Sequence, residues 1–502
     1  MATTMKTKNI GVLTFFGMTV ALVASVRNIP DVAATGWTML IYMLVATFLF
    51  ALPIALISGE FSGMMPKAGG PELWVTNSLS ERWGFTTSWL LWVQMFPGMV
   101  MVASVIAPLL AIATGNHALA TNSVFTLVCI LVVYWTISVL NIFFDMARLG
   151  GRIGVVLGIY IPAAVMLALG IAAVAKVGLN SGSYLGNFQV VNLLPFSQDS
   201  GKTLTFFASI IFIYTGIEMS SVYLPRLGHP LRTYLRGIFL ALVFMFVMNT
   251  FLALLTADVV PRGTIELNNI AQAPAIFVKI LGLPSWITNV FAGSVLVGVI
   301  VQLSAWASGP SKTITASARR GLYPPVLRYW KTNKYDVAPT AVLTQACVVS
   351  IFALLFILVP GVNKAFLLLV TATAIIYIVV YVLMAIGIVR MRTTHPDQDR
   401  PFRIGKQNGG DRLLRVIAGV FLLAIVASTG ATLWYQGPLD AFILVAITAV
   451  FTVAPLIIVR VRKDSWLTEV NAALGVTHPD SGRSPASATT TSPTNASLGE
   501  RG

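Results

Sequence analysis

The chain has little charge for its size. Only 10% of its 502 residues are Asp, Glu, Lys or Arg, whereas 56% are hydrophobic and the mean hydropathy is +0.82. A soluble domain carries about 25% charged residues. The composition therefore excludes a soluble globular protein and indicates one that crosses a membrane many times.

Cysteine and histidine are also scarce. The two cysteines, Cys129 and Cys347, both lie in apolar segments and form neither a disulfide framework nor a metal-ligand spacing. All four histidines fall in loops or in the C-terminal tail, which argues against haem or zinc bound within the membrane. We therefore predict no cofactor and no bound metal.

Twelve apolar segments predict an all-α integral membrane protein with twelve transmembrane helices, since a crossing takes roughly 20 residues. Residues 1–9 lead into the first segment without a signal-peptide cleavage site, so we expect that segment to be retained. We number the segments as spans 1 to 12. Span 1 begins near Ile10, and the others cover about 38–57, 85–112, 124–144, 155–177, 204–224, 237–255, 286–308, 341–359, 365–389, 416–433 and 441–459.

Positive charge is divided unevenly between the loops. If the N-terminus is cytoplasmic, 27 Lys and Arg residues lie on that side and five on the other, with Arg27 within the membrane. Cytoplasmic loops carry such an excess, so we predict that both termini lie inside. We further expect a multi-pass protein of a bacterial inner (plasma) membrane. The net charge of +15 then indicates orientation in lipid and not nucleic acid binding. We interpret the basic run 312–334 as a lipid-surface anchor, with substrate steering as the alternative.

Span 6 carries a carboxylate in the middle of an apolar segment. The run Tyr214-Thr215-Gly216-Ile217-Glu218 places a helix-weakening Thr-Gly pair just before it. An ionisable group at that depth costs a few kcal/mol and by default marks a pathway or a site. Several secondary transporters build a midplane substrate site from such a broken helix. The alternatives are a structural hydrogen-bond role for Glu218, or glycine packing beside a water-filled vestibule.

Span 1 is predicted to be interrupted as well. The run Arg27-Asn28-Ile29-Pro30 stands in its middle and Asp31 follows. Proline lacks the N–H of a helix interior, and the two charged side chains would be costly facing lipid. We expect this backbone to face a cavity. Arg27 then either contacts a substrate carboxylate or pairs with an internal carboxylate, that of Asp31 or of Glu218.

The two breaks lie five spans apart, which is the spacing of two five-helix inverted repeats. We therefore predict a first repeat over 10–177, a second over 203–391, and appended helices 11 and 12 over 412–462. Residues 463–502 form a cytoplasmic tail whose Ser/Thr/Pro/Ala-rich end is expected to be largely disordered.

Several motifs in spans 1 to 8 resemble those of the amino acid–polyamine–organocation superfamily, and within it the glutamate–GABA antiporter family. Besides the two broken segments they are Pro53-Ile54-Ala55-Leu56-Ile57-Ser58-Gly59-Glu60, Gly69-Gly70-Pro71, Arg82-Trp83-Gly84-Phe85, Gly309-Pro310-Ser311-Lys312 and Ala318-Arg319-Arg320-Gly321-Leu322-Tyr323-Pro324. The resemblance implies a LeuT-like fold with broken helices 1 and 6.

The chain departs from this family at two positions. The exchangers favour tyrosines around the proline of span 1, where this chain has Arg27 and Ile29, and they carry a glutamate in span 8, where it has Gln302. Both changes bear on which substrate is exchanged. We add three aromatic residues as candidate cavity-lining groups, with plain packing as the alternative. They are Trp306 and the pair Tyr377 and Tyr381, which share one face of span 10.

The resemblance implies a secondary transporter that exchanges an amino acid for its decarboxylated amine by alternating access. The alternative is a proton-coupled uptake system for an amino acid or polyamine. A channel would need a continuous polar stripe, and an intramembrane enzyme would need a nucleophile–base or metal set; the spans show neither. We expect amino acids, amines and possible coupled protons as partners, with membrane lipid around a monomer or homodimer.

Overall fold

In a computed structural model, the described residues are 10–65, 70–144, 156–179, 185–196, 199–227, 229–405 and 409–475. Their regular secondary structure is helical, and their β-type pairing is limited to one isolated bridge between Ile10 and Leu227. The predicted all-α fold class is confirmed.

The first five spans begin with a split helix. They consist of Val12–Val23 and Ile29–Ala33 (span 1), Gly36–Met64 (span 2), Glu81–Ala113 (span 3), Ser123–Phe143 (span 4) and Val156–Val177 (span 5), with a connecting helix Gly70–Ser78. Span 2 contains a π-helical segment, Ala46–Ala51, between two α-helical parts.

The remaining spans follow the same order as the sequence predicts. They are Gly201–Ser221 (span 6), Leu231–Val259 (span 7), Trp286–Arg319 (span 8), Pro339–Leu358 (span 9), Val362–Thr394 (span 10), Gly410–Gln436 (span 11) and Pro438–Val461 (span 12). Two further helices, Gln272–Leu281 and Asp464–Leu474, lie outside the spans.

Eleven helical segments of the described chain are long and apolar enough to cross a membrane. Span 1 does not count among them because each of its two parts is too short, so the number twelve stays a prediction. The N-terminal tail and residues 476–502 lie outside the described residues. The tail 463–502 is predicted to be largely disordered, but its first part forms the helix Asp464–Leu474.

Spans 3 and 10 lie at the centre of the helix packing. In their most apolar windows 89% and 83% of the residues are buried, against 11% in span 12. Span 12 therefore leaves most of its apolar surface for lipid, as a helix appended to a central bundle would.

An ion-pair network, the Glu60 clamp, ties span 2 to span 10 and to the loop that follows. The fully buried Glu60 carboxylate accepts hydrogen bonds from Arg392 Nε at 2.7 Å, from Arg392 Nη2 at 2.5 Å and from the Ile404 backbone N–H at 2.9 Å. Arg392 also pairs with Asp411 at 2.8 Å, and Arg400 lies 3.5 Å from Glu60. The clamp thereby fixes the loop between spans 10 and 11.

We expect Glu60→Gln to destabilise the protein strongly. Removing one partner of a buried ion pair costs about 3–5 kcal/mol, and here it leaves the buried Arg392 with the half-exposed Asp411 as its counter-charge. Asp440→Asn is the matched control, because Asp440 pairs with the half-exposed Lys364 at 3.0 Å and such a surface pair contributes roughly 0–1 kcal/mol. Thermal unfolding of the purified variants in detergent measures both. Equal, small shifts in melting temperature would contradict this account of the clamp.

Candidate functional site

Span 1 is broken over the five residues that precede its second helix. The first helix ends at Val23, residues 24–28 are not helical, and the second helix begins at Ile29. Pro30 occupies the first turn of this second helix, where its missing N–H has no partner to lose. The break is thus confirmed, but it lies before the proline and not at it.

The Arg27 side chain emerges from this break and meets span 8. Its Nη1 donates to Gln302 Oε1 at 2.5 Å, and its guanidinium carbon lies 4.9 Å from the Trp306 ring centroid. The residue is only 4% exposed, and its Nε has no hydrogen-bond partner in the described part of the chain. None of the ion pairs among the described residues includes it. Among the residues that the structure describes, Arg27 is therefore a buried cation without a carboxylate partner.

Span 6 is broken at the Thr-Gly pair. Its α-helix Phe207–Phe212 ends before the pair, Gly216 has φ +92°, and a 3₁₀ helix follows over Ile217–Arg226. A positive φ of this kind favours glycine, because a Cβ would clash with the backbone. Apart from Gly216 and its two chain neighbours, no described atom lies within 4 Å of where a Cβ on Gly216 would stand. The break therefore has open space beside it.

Glu218 is held by two tyrosines of span 10. Tyr377 donates to its Oε1 and Tyr381 to its Oε2, both at 2.7 Å. The Tyr381 hydroxyl also accepts the Gly216 backbone N–H at 3.0 Å. The backbone N–H groups of Gly216 and Glu218 also lie close to this carboxylate. The fully buried Glu218 thus braces the span 6 break.

Tyr214 connects the same break to span 2. Its hydroxyl lies 2.6 Å from Thr47 Oγ1, and Thr47 belongs to the π-helical segment Ala46–Ala51. π-helical turns occur frequently at functional sites. This contact links spans 2 and 6 beside the candidate site.

The candidate residues fall into two groups in this conformation. One joins spans 1 and 8 through Arg27, Gln302 and Trp306; the other joins spans 6 and 10 through Gly216, Glu218, Tyr377 and Tyr381. Asn28, Ile29, Pro30, Tyr214 and Ile217 are buried, whereas Thr215, Gly216, Gln302 and Trp306 are partly exposed. A small solute would therefore meet the span 6 break and span 8 first.

Sequence reasoning missed two side chains at these breaks. Ser25 accepts the Arg27 backbone N–H on its Oγ at 3.2 Å, and Thr47 holds Tyr214. Each is a single hydroxyl in an apolar segment. Such hydroxyls are common in membrane helices, where they often bond the backbone of their own helix, so the sequence alone does not mark these two as site residues.

Comparison with known families gives one match that spans most of the chain. The family described as amino acid permease matches residues 10–466. This range includes both breaks and all twelve predicted spans.

Curated relatives are similar over most of their own length. The chain is 29% identical to a glutamate/gamma-aminobutyrate antiporter of Lactococcus lactis, over 84% of this chain and 83% of that protein. It is 27% identical to an uncharacterized transporter of Legionella pneumophila, over 84% and 88%. A probable agmatine/putrescine antiporter of L. lactis is 22% identical over 79% and 82%.

Solved structures share the fold at low identity. Two structures of a manganese transporter from Eremococcus coleocola match with TM-scores of 0.50 and 0.51, at 13% and 11% identity. Each match covers 92% of this chain and 96% of that chain. At this identity the likeness shows the fold alone, and it confirms the LeuT-like fold.

Proposed function

The chain belongs to the amino acid permease family, and on that premise we propose that it is a secondary active antiporter for amino acids. It exchanges an amino acid, glutamate-like or other, for the amine that decarboxylation of the amino acid produces. One antiporter among its relatives is named for such an exchange, glutamate for gamma-aminobutyrate. Another is named for the exchange of two amines, agmatine and putrescine. The proposal places it as a multi-pass protein in a bacterial plasma membrane.

The unpaired Arg27 is the observation that carries this proposal. A buried cation without a counter-charge is costly, and a substrate carboxylate at the span 1 break would supply one. The guanidinium offers a planar fork of donors that suits a carboxylate. One Nη is already bonded to Gln302, and the buried Nε is free. Arg27 is therefore proposed as the group that recognises the α-carboxylate of the amino acid, which is the carboxylate that decarboxylation removes.

The amine end is assigned to the span 6 break. Glu218 places a carboxylate at this break, where two tyrosines hold it, and the backbone around Gly216 is interrupted and partly exposed. Exposed carbonyls at half-helix ends and a nearby carboxylate both suit an ammonium group. In this arrangement the amino acid uses both breaks, whereas its decarboxylated amine uses only the second.

Counterflow into proteoliposomes tests the proposal. Vesicles are loaded with one compound from a panel of amino acids and amines, and uptake of a labelled amino acid is followed. Uptake should require the matching amino acid or amine inside and should be minimal into empty vesicles. Gradient-driven uptake into empty vesicles would instead establish the alternative, a proton-coupled permease.

In the proposed membrane arrangement, residues 10–177 and 203–391 form the two five-helix repeats, and both termini lie in the cytoplasm. In a Cys347→Ala background, cysteines introduced at the exposed Lys202 and Lys279 should react with an impermeant thiol reagent from outside. A cysteine at the exposed Arg328 should react only after the membrane is permeabilised. The positive-inside distribution gives this pattern, and the reverse pattern of labelling would overturn it.

A further inference from the structure

Asp31 is a second buried carboxylate near the breaks, and its surroundings differ from those of Glu218. It lies in the short helix Ile29–Ala33 and is 0% exposed. Neither of its carboxylate oxygens has a hydrogen-bond partner within geometric limits in the described part of the chain. Ser209 of span 6 lies beside it, but that hydroxyl donates to the Phe206 carbonyl at 2.8 Å.

The elements packed against this helix supply no counter-charge. It packs on span 7 and on the first half of span 6, Phe207–Phe212, which has no ionisable side chain. The ionisable residues of span 7 are Arg232, Tyr234, Arg236 and Asp258.

The three of these side chains that are not acidic are exposed or engaged elsewhere. Arg232 and Arg236 are exposed near the start of the helix, and Tyr234 donates to the Ala55 carbonyl at 2.6 Å. Asp258 carries the same sign of charge as Asp31. On the chain segment of Asp31 itself, Arg27 is directed to Gln302, so no described cation forms an ion pair with the carboxylate.

A carboxyl group in this environment is stable only when it is protonated. Burying an ionised carboxylate without a partner costs several kcal/mol, and in practice such a group takes up a proton instead. Glu218 differs because two hydroxyl donors stabilise its charge. The two carboxyl groups are therefore suited to different tasks, Glu218 to holding the span 6 break and its ligand and Asp31 to a change of protonation.

We propose that Asp31 is the group that binds and releases a coupled proton during exchange. While the break in span 1 is closed, the carboxyl group keeps its proton. When the break opens to water on one side, the O–H bond ionises, the proton passes to a water molecule on that side, and the carboxylate becomes hydrated. This inference rests on the proposed exchange function and adds a proton to its cycle.

A trapped pH indicator tests proton movement in the wild-type protein directly. Vesicles loaded with the amine and placed in labelled amino acid should show a change in internal pH that accompanies uptake. If one proton moves per cycle, a gradient of one pH unit shifts the steady-state accumulation ratio by up to about tenfold. Exchange without any proton movement would overturn the assignment while leaving the proposed exchange intact; no exchange at all would overturn the proposed function itself.

Asp31→Asn tests the residue. Asparagine has the shape of the neutral acid, so exchange without a pH gradient should stay within about twofold of wild type, while the response to the gradient is lost. Asp31→Glu should retain a response, and the control Asp440→Asn should respond like wild type. A gradient response that survives in Asp31→Asn would overturn the proposal. So would loss of exchange in that variant without a gradient, or an absolute requirement for Na⁺.

Discussion

Arg27→Lys should weaken binding of the amino acid at least tenfold and change binding of the matching amine by no more than about twofold. The planar guanidinium bonds Gln302 with one nitrogen and lies over Trp306, which leaves its remaining donors for a carboxylate. Lysine keeps the charge but presents a compact ammonium without the fork. Losing a charge-assisted bond costs about 1.5–3 kcal/mol, or roughly ten- to a hundredfold in affinity.

Competition binding to the purified protein, with each amino acid measured beside its own amine, gives the change in affinity for each ligand. Arg328→Lys is a control, since Arg328 is exposed far from the breaks in the chain and the change should alter neither affinity. Equal weakening of both ligands by Arg27→Lys would show that Arg27 acts through the structure of the span 1 break and not on the carboxylate.

Glu218→Gln should weaken the amino acid and the amine together, by roughly ten- to a hundredfold. Both ligands share the ammonium group, and losing a charge-assisted bond to it costs about 1.5–3 kcal/mol. In the wild type both tyrosine hydroxyls donate to the carboxylate. In the variant, the NH₂ group of the amide faces one of these hydroxyls and cannot accept its hydrogen bond. The response to a pH gradient should remain, because Asp31 carries the proton in this account.

The tyrosine variants separate the two contributions to that loss. Tyr377→Phe removes one hydrogen bond, the one from Tyr377 to Glu218. Tyr381→Phe removes two, the bond from Tyr381 to Glu218 and the bond that Tyr381 accepts from the Gly216 backbone. Binding should therefore be weaker in Tyr381→Phe than in Tyr377→Phe. Wild-type affinities for both ligands in Glu218→Gln would leave Glu218 as a structural residue only.

The positions of the two breaks could be predicted from sequence because their causes are local. Gly216 can adopt a positive φ that other residues rarely reach, and proline cannot donate in a helix interior. The sequence did not show on which side of Pro30 the break lies. Proline is tolerated in the first turn of a helix, and Pro30 lies in the first turn of the second helix. Chain-local rules located each break to within a few residues.

The partners of the site residues could not be predicted in the same way. Arg27 and Gln302 are 275 positions apart in the sequence, and Glu218 and Tyr377 are 159 apart. Helical spacing placed Tyr377 and Tyr381 on one face, but it did not identify what that face meets. The same applies to the Glu60 clamp, whose two main residues are separated by 332 positions. Such contacts depend on how the spans pack.

The most direct test of the central claim is a double-label flux measurement in proteoliposomes. Vesicles are loaded with a labelled amine and diluted into its differently labelled parent amino acid, and influx and efflux are counted in the same sample. Exchange at the two breaks predicts one amine leaving for each amino acid entering, with little efflux when no amino acid is outside. Amino acid influx without matching amine efflux would contradict the account.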